Sequence, residues 1–148
     1  MDKDNIIQYL CTKVGALWLG VQAEEIIEIV KPSSEGFHHF EGEGRIDSIK
    51  YNDEYIPLIY LRELLTGEKD NYITACKVLI TEKDQKILGM VVGSAEEILR
   101  IPQGELNITT TTDSGIKSET IDSILRVEDR KIHIISVSKV FDLIKIES

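Results

Sequence analysis

The sequence predicts an all-β fold with short helices, in which one small barrel of about five strands is used twice. Three observations lead there. Short Ile- and Val-rich stretches recur along the 148 residues, separated by turn signals, which is the spacing of a sandwich or barrel. Asn52-Asp53 and Glu128-Asp129 each join two apolar runs as hairpin turns. An internal repeat is present: Ala23-Glu24-Glu25-Ile26 recurs as Ala95-Glu96-Glu97-Ile98, and Ile46-Asp47-Ser48-Ile49 recurs as Ile121-Asp122-Ser123-Ile124.

Strands are expected over 6–13, 16–22, 25–31, 45–51, 54–59, 73–81, 86–92, 97–101, 120–127 and 131–136. Alternation marks several of them. Cys76, Val78 and Ile80 share one face; Ile132 and Ile134 face one side, with Lys131 and His133 on the other. Two short segments read as helices. Residues 61–65 stop at Gly67, and residues 137–144 carry Val140, Phe141 and Ile144 at helical spacing, with Ser136 or Ser138 available as a cap. Each Ala-Glu-Glu-Ile run follows a Leu-Gly pair, Leu19-Gly20 and Leu88-Gly89, and leads to a proline, Pro32 and Pro102. The order of motifs is the same in both halves. One domain of two lobes follows, with lobe 1 at about 5–67 and lobe 2 at about 72–144. The loops 31–44 and 105–118 lack periodicity and occupy equivalent places in the two repeats.

Composition narrows the function. The 42% apolar and 29% charged content is that of a globular chain, and its length buries enough surface to need no metal or disulfide. The formal net charge of −9 disfavours nucleic acid and anionic membranes, which select basic clusters; solubility accounts for it simply. Cys11 and Cys76 sit in apolar runs without metal-like spacing and read as reduced thiols of a cytoplasmic protein. Met-Asp-Lys-Asp-Asn lacks the pattern of a signal peptide, and no apolar run approaches the roughly 20 residues of a membrane span. Catalytic motifs are missing: there is no Gly-rich phosphate loop, HExxH or GxSxG. Glu24-Glu25 and Glu96-Glu97, adjacent on strands, point each pair to opposite faces. His38 and His39, with Glu41 and Glu43 nearby, diverge in an extended loop and make a poor chelate. A thiol–imidazole pair of Cys11 or Cys76 with His133 requires a proximity that nothing in the sequence indicates. No cofactor, catalytic group or metal site is expected.

The repeated hairpin and helix resemble the CheW-like family. Ile56-Pro57-Leu58-Ile59-Tyr60-Leu61-Arg62 is similar to its "V-P-V-I-D-L-R" segment, and Ile26-Ile27-Glu28-Ile29 to its "V-x-E-I" run. Leu88-Gly89-Met90-Val91-Val92 resembles "G-L-V-V-D-x-V", and residues 132–141 resemble the final strand and helix. The likeness runs from about Asn5 to Ile144. It implies two SH3-like, five-stranded barrels side by side. It also implies a non-catalytic scaffold that couples the cytoplasmic tips of chemoreceptors (methyl-accepting chemotaxis proteins) to the regulatory domain of the histidine kinase CheA in bacterial chemotaxis. The sequence departs from the family at the first hairpin, where Lys50-Tyr51-Asn52-Asp53 stands for "N-L-R-G", and at Tyr60 and Gly93, where the family has Asp.

The resemblance gives the candidate partner-binding residues. Glu28 and Ile29 lie on the "V-x-E-I" strand; Lys50, Tyr51, Asn52 and Asp53 form the hairpin at the family's interaction surface; Arg62 follows it. Tyr51 is the kind of amphipathic aromatic that anchors interfaces. For each there is a plainer alternative: a solvated glutamate, an ordinary turn, and for Arg62 a structural ion pair. Two other functions stay open, a ligand-responsive regulatory module using the long loops, and a divergent CheW-like paralogue whose turn without the arginine serves different partners.

Overall fold

A computed structural model describes residues 5–31, 37–38, 48–68, 77–103, 108–109 and 115–143. The chain runs β1 (Ile6–Val14), β2 (Leu17–Gln22), one 3-10 turn (Ala23–Glu25), β3 (Ile26–Val30), β4 (Phe37–His38), β5 (Ser48–Tyr51), β6 (Glu54–Tyr60) and α1 (Leu61–Thr66). It continues with β7 (Lys77–Lys83), β8 (Lys86–Val92), β9 (Ser94–Pro102), β10 (Ile108–Thr109), β11 (Ile121–Val127), β12 (Arg130–Ile135) and α2 (Val137–Leu143). The expected strand starts at 45–47 and 73–76, with Cys76, Pro32, Ile46, Asp47, His39, Glu41, Glu43 and Ile144, lie outside the described residues, as does most of both long loops.

Local chemistry sets the elements. Asn52 and Asp53 (φ 50° and 66°) and Asp84 and Gln85 (φ 51° and 68°) supply the paired left-handed residues of two-residue hairpins. Gly15 (φ 58°) opens the first hairpin. Helix α1 buries Leu61 and Leu65 one turn apart and ends at Gly67 (φ 81°), whose N–H donates to the Glu63 carbonyl at 2.8 Å. The Ser136 hydroxyl caps α2 by accepting from the Lys139 N–H at 3.2 Å.

The unit of six strands and a helix occurs twice, yet the lobes are not contiguous halves. One sheet has the order β10-β11-β12-β2-β1-β9 and the other β3-β7-β8-β6-β5-β4. Each has five principal strands and one two-residue edge strand. The hairpin β1–β2 belongs with β9–β12, and β7–β8 belongs with β3–β6, through parallel pairs β2–β12 and β6–β8. The expected boundaries, 5–67 and 72–144, are therefore corrected: lobe one is built by β3 to β8, lobe two by β1, β2 and β9 to β12. The physical reason lies at the crossovers. The 3-10 turn Ala23–Glu25 turns the chain away from β2, so that β3 pairs with β7 rather than folding back. Gly93 does the same between β8 and β9, its N–H held by the Lys13 carbonyl at 2.9 Å.

Register shows which residues correspond. Cys11 opposes Gly20 and Glu97 as Ile80 opposes Gly89 and Glu28; Val127 opposes Arg130 as Tyr51 opposes Glu54. Glu28 thus matches Glu97, Ile29 matches Ile98, and Thr12 matches Thr81. The two Ala-Glu-Glu-Ile runs do not superimpose, because the first is the 3-10 turn and the second lies within β9. Glu24 and Glu25 accordingly sit on a turn rather than on a strand.

Three apolar clusters follow from strand alternation. Ile49, Ile56, Leu58, Val78, Ile80 and Val91 fill lobe one. Tyr9, Cys11, Leu125, Ile132 and Ile134 fill lobe two. Between them lies the largest cluster, including Leu10, Leu19, Val21, Leu61, Leu65, Leu79, Leu88, Met90, Ile135 and Val140. Strands β1, β2, β7 and β8 thus bury both faces. So does β12: His133, expected on a polar face, is 2% exposed, with Nδ1 3.1 Å from the Trp18 carbonyl and Nε2 unpartnered among the described residues. Cys11 faces the opposite side of that sheet, in register with Gly20 and Ile134, so Cys11 and His133 do not form a thiol–imidazole pair.

Like charges meet at the first crossover. Burial, and after it the charges of Glu24 and Asp122, hold the Glu25 carboxyl above its ordinary range. Burial and then Asp122 also raise the Tyr9 phenol. For an acid with a raised folded pKa, the folded state holds the proton longer, so stability falls as pH rises through that window. Glu25→Gln is expected to raise the urea midpoint at pH 7, by roughly 0.5 kcal/mol after allowance for solvent screening. The gain should vanish below the ordinary carboxylate range.

Candidate interaction surface

Both sheets curl and leave a seam between an edge strand and a hairpin. In lobe one, β3 forms the edge, and its Glu28 reaches the turn end of the β5–β6 hairpin. The Tyr51 hydroxyl donates to Glu28 Oε1 at 3.0 Å. That bond is the first cause of a Tyr51 phenol held above its ordinary value. Two residues that the sequence singled out separately are therefore brought together, 23 positions apart. Val30 and Tyr51 pack against the lobe-one core just inside the mouth.

Outside the mouth the strand is apolar. Ile27 and Ile29 are 49% and 41% exposed, and Ile29 stands opposite Leu79, which is buried in the cluster between the lobes. A bulge between Ile26 and Glu28 breaks the alternation there. On the hairpin, Lys50 pairs with Tyr55, which is 54% exposed, while Ile49 and Ile56 turn inward. Asn52 and Asp53 form the exposed tip, both with positive φ. Glycine has no steric penalty at such a position, so Asp53→Gly is expected to raise stability by about 0.5–1 kcal/mol, read from the urea midpoint.

Arg62 is placed differently. Its guanidinium lies over Gly15 at the turn of the first hairpin, where a Cβ would be 3.2 Å from Cζ, and it pairs with Glu68 at 3.2 Å. It joins α1 to lobe two's hairpin.

Sequence reasoning missed the matching seam. In lobe two, β9 is the edge, and its Glu97 accepts from Arg130 at the turn end of the β11–β12 hairpin at 2.5 Å. Arg130 also lies over the Trp18 ring, 5.0 Å from its centroid, and near Cys11 Sγ at 3.8 Å. The Glu97 bond chiefly stabilises its charged form. Ile98 beside it is 47% exposed. The signal lay in the Leu-Gly pairs, which align Glu97 with Glu28; the Ala-Glu-Glu-Ile match pointed to another register.

A family model, the CheW-like domain, matches residues 8–145. The chain belongs to the CheW-like family. Among solved structures, the scaffolding protein TtCheW from Thermoanaerobacter tengcongensis resembles it with a TM-score of 0.75 at 19% identity, over 90% of this chain and 86% of that one. At that identity the likeness speaks for the fold, two barrel-like lobes. No curated protein matches the sequence. The resemblance read from the CheW-like motifs and the all-β fold class both hold. Among the described residues, no cluster of His, Cys, Asp and Glu could hold a metal ion, and no helix is long and apolar enough to cross a membrane.

Proposed function

We propose that this CheW-like chain is a non-catalytic cytoplasmic adaptor that couples chemoreceptor tips to the regulatory domain of a CheA-type histidine kinase. Family membership makes it a chemotaxis scaffold; the finer reading rests on the lobe-one seam. There, an edge strand with outward Ile27 and Ile29 lies beside Glu28, Tyr51 and the hairpin tip of Lys50, Asn52 and Asp53. Exposed aliphatic side chains next to an aromatic and a carboxylate make an apolar centre with a polar rim, the composition of a protein interface. Edge strands are also where proteins meet other proteins most readily.

The roles divide by geometry. Ile29 supplies burial, while Glu28 and Tyr51 supply directional bonds. Arg62 lies apart from the seam and ties α1 to Gly15 in the turn between β1 and β2. Mixing the folded chain with a receptor-tip fragment and a CheA regulatory domain, followed by sedimentation, tests this. Binding to at least one is expected, and Ile29→Glu should weaken it by tenfold or more, since a buried unpaired carboxylate costs well over 1.4 kcal/mol. Absence of binding to both by folded protein overturns the reading. One observation favours a second: Asn52 and Asp53 form the turn without a guanidinium, so a divergent paralogue with its own kinase partner would bind only the kinase encoded beside it.

A further inference from the structure

The two seams occupy equivalent places, yet they are closed by different chemistry. In lobe one, a phenol-to-carboxylate bond of 3.0 Å joins β3 to the hairpin. Strand β3 is five residues long and pairs with β7 alone; like β9 it carries a register shift and three exposed residues. In lobe two, Arg130 closes the seam with a charged pair to Glu97 at 2.5 Å and a second contact to Glu128 at 3.7 Å. Its side chain is only 20% exposed and is stacked on Trp18, which Lys13 also approaches at 5.2 Å from the ring centroid. Strand β9 is nine residues long, pairs with β1 along most of its length, and is fastened at its end by Gln103 N–H to the Asn5 carbonyl at 2.7 Å.

We propose that the fold carries one weak latch and one strong latch: β3 parts from the β5–β6 hairpin by local opening, while β9 stays fixed to the β11–β12 hairpin. Both bonds end on a carboxylate and are charge-assisted; in lobe two the donor adds a second full charge, reaches a further carboxylate and stacks on an indole. The Tyr51–Glu28 bond has one neutral partner and faces water, which competes for both groups. A short edge strand opens at low cost, whereas a long one opens only with much of its sheet. The inference concerns the chain alone and does not depend on which partner it binds. Its consequence is that lobe one is the adaptable end of the molecule and lobe two the rigid end.

Native-state hydrogen exchange on the full-length protein, read by peptide mass, tests it. Amides of 26–30 should exchange at least about tenfold faster than those of 96–101. Tyr51→Phe should speed exchange in 26–30 and leave 96–101 unchanged. Arg130→Gln should bring 96–101 toward the rate of 26–30; Glu97→Gln serves the same purpose should Arg130→Gln fail to fold. Equal rates in the two strands, or a Tyr51→Phe protein that exchanges like the parent in 26–30, would overturn the proposal.

Discussion

Gly93→Ala is expected to cost about 2–4 kcal/mol, the largest loss from a methyl group added at any of the described glycines. The added Cβ would collide with the Lys13 carbonyl oxygen, a backbone atom that also accepts the Gly93 N–H. Relief requires β8 to move away from β1 at the point where the chain passes from one sheet to the other, and the bond is lost with it. For a protein of this size, thermal midpoints should fall by roughly 5–15 °C. The other close glycines grade the effect. At Gly89 a Cβ would stand 2.7 Å from both Leu58 Cδ2 and Val78 Cγ1, and at Gly20 it would stand 2.7 Å from Ile134 Cδ1, the free end of one side chain. Costs should therefore follow the order Gly93, Gly89, Gly20, measured by urea denaturation. A Gly93→Ala protein as stable as its parent would mean that the crossover is not where the structure puts it.

Leu19→Ala should cost about 2–5 kcal/mol, and both sheets should share the loss. Leu19 is fully buried in the cluster that lies between the lobes, together with Leu88 and Met90 from the other sheet. Because this cluster is shared by strands of both sheets, neither lobe can unfold without exposing the buried face of the other. Fluorescence of Trp18, the one tryptophan, reports on lobe two, and far-UV circular dichroism reports on the whole. The two transitions should coincide in Leu19→Ala as in the parent. A variant that loses lobe two first and leaves a stable lobe one would contradict the shared core.

How far the sequence could be read differs by feature. Hairpin positions were legible because Asn52-Asp53 carries its turn chemistry locally, and both helices were legible from their spacing, cap and stop. The doubled unit was legible too, but its register was not. Short identities such as Ala-Glu-Glu-Ile outweigh by eye the sparser match of Thr12 with Thr81 and Gly20 with Gly89, which obey the backbone. Strand exchange between repeats leaves no local mark, since parallel pairing of β2 with β12 joins residues more than a hundred positions apart. His133 was misplaced for a related reason: alternation gives the two faces of a strand but not whether the second face meets water or another sheet.

At the candidate surface, the sequence supplied Glu28 and Tyr51 only through family likeness. Their hydrogen bond depends on how the sheet curls, which no local pattern encodes. Ile27 and Ile29 sit in a run of hydrophobic residues whose periodicity is broken by a bulge, so exposure could not be assigned to them. Arg62, by contrast, was read with its structural alternative beside it, and the ion pair to Glu68 with the packing on Gly15 fits that alternative.

The most direct measurement for an adaptor that grips through the lobe-one seam is an amide chemical-shift titration of the labelled chain with a CheA-type regulatory domain and, separately, with a receptor-tip fragment. Shifts are expected to concentrate on 26–30 and 50–55 for at least one of them. Shifts confined to lobe two, or a spectrum that does not change with either partner, would contradict it.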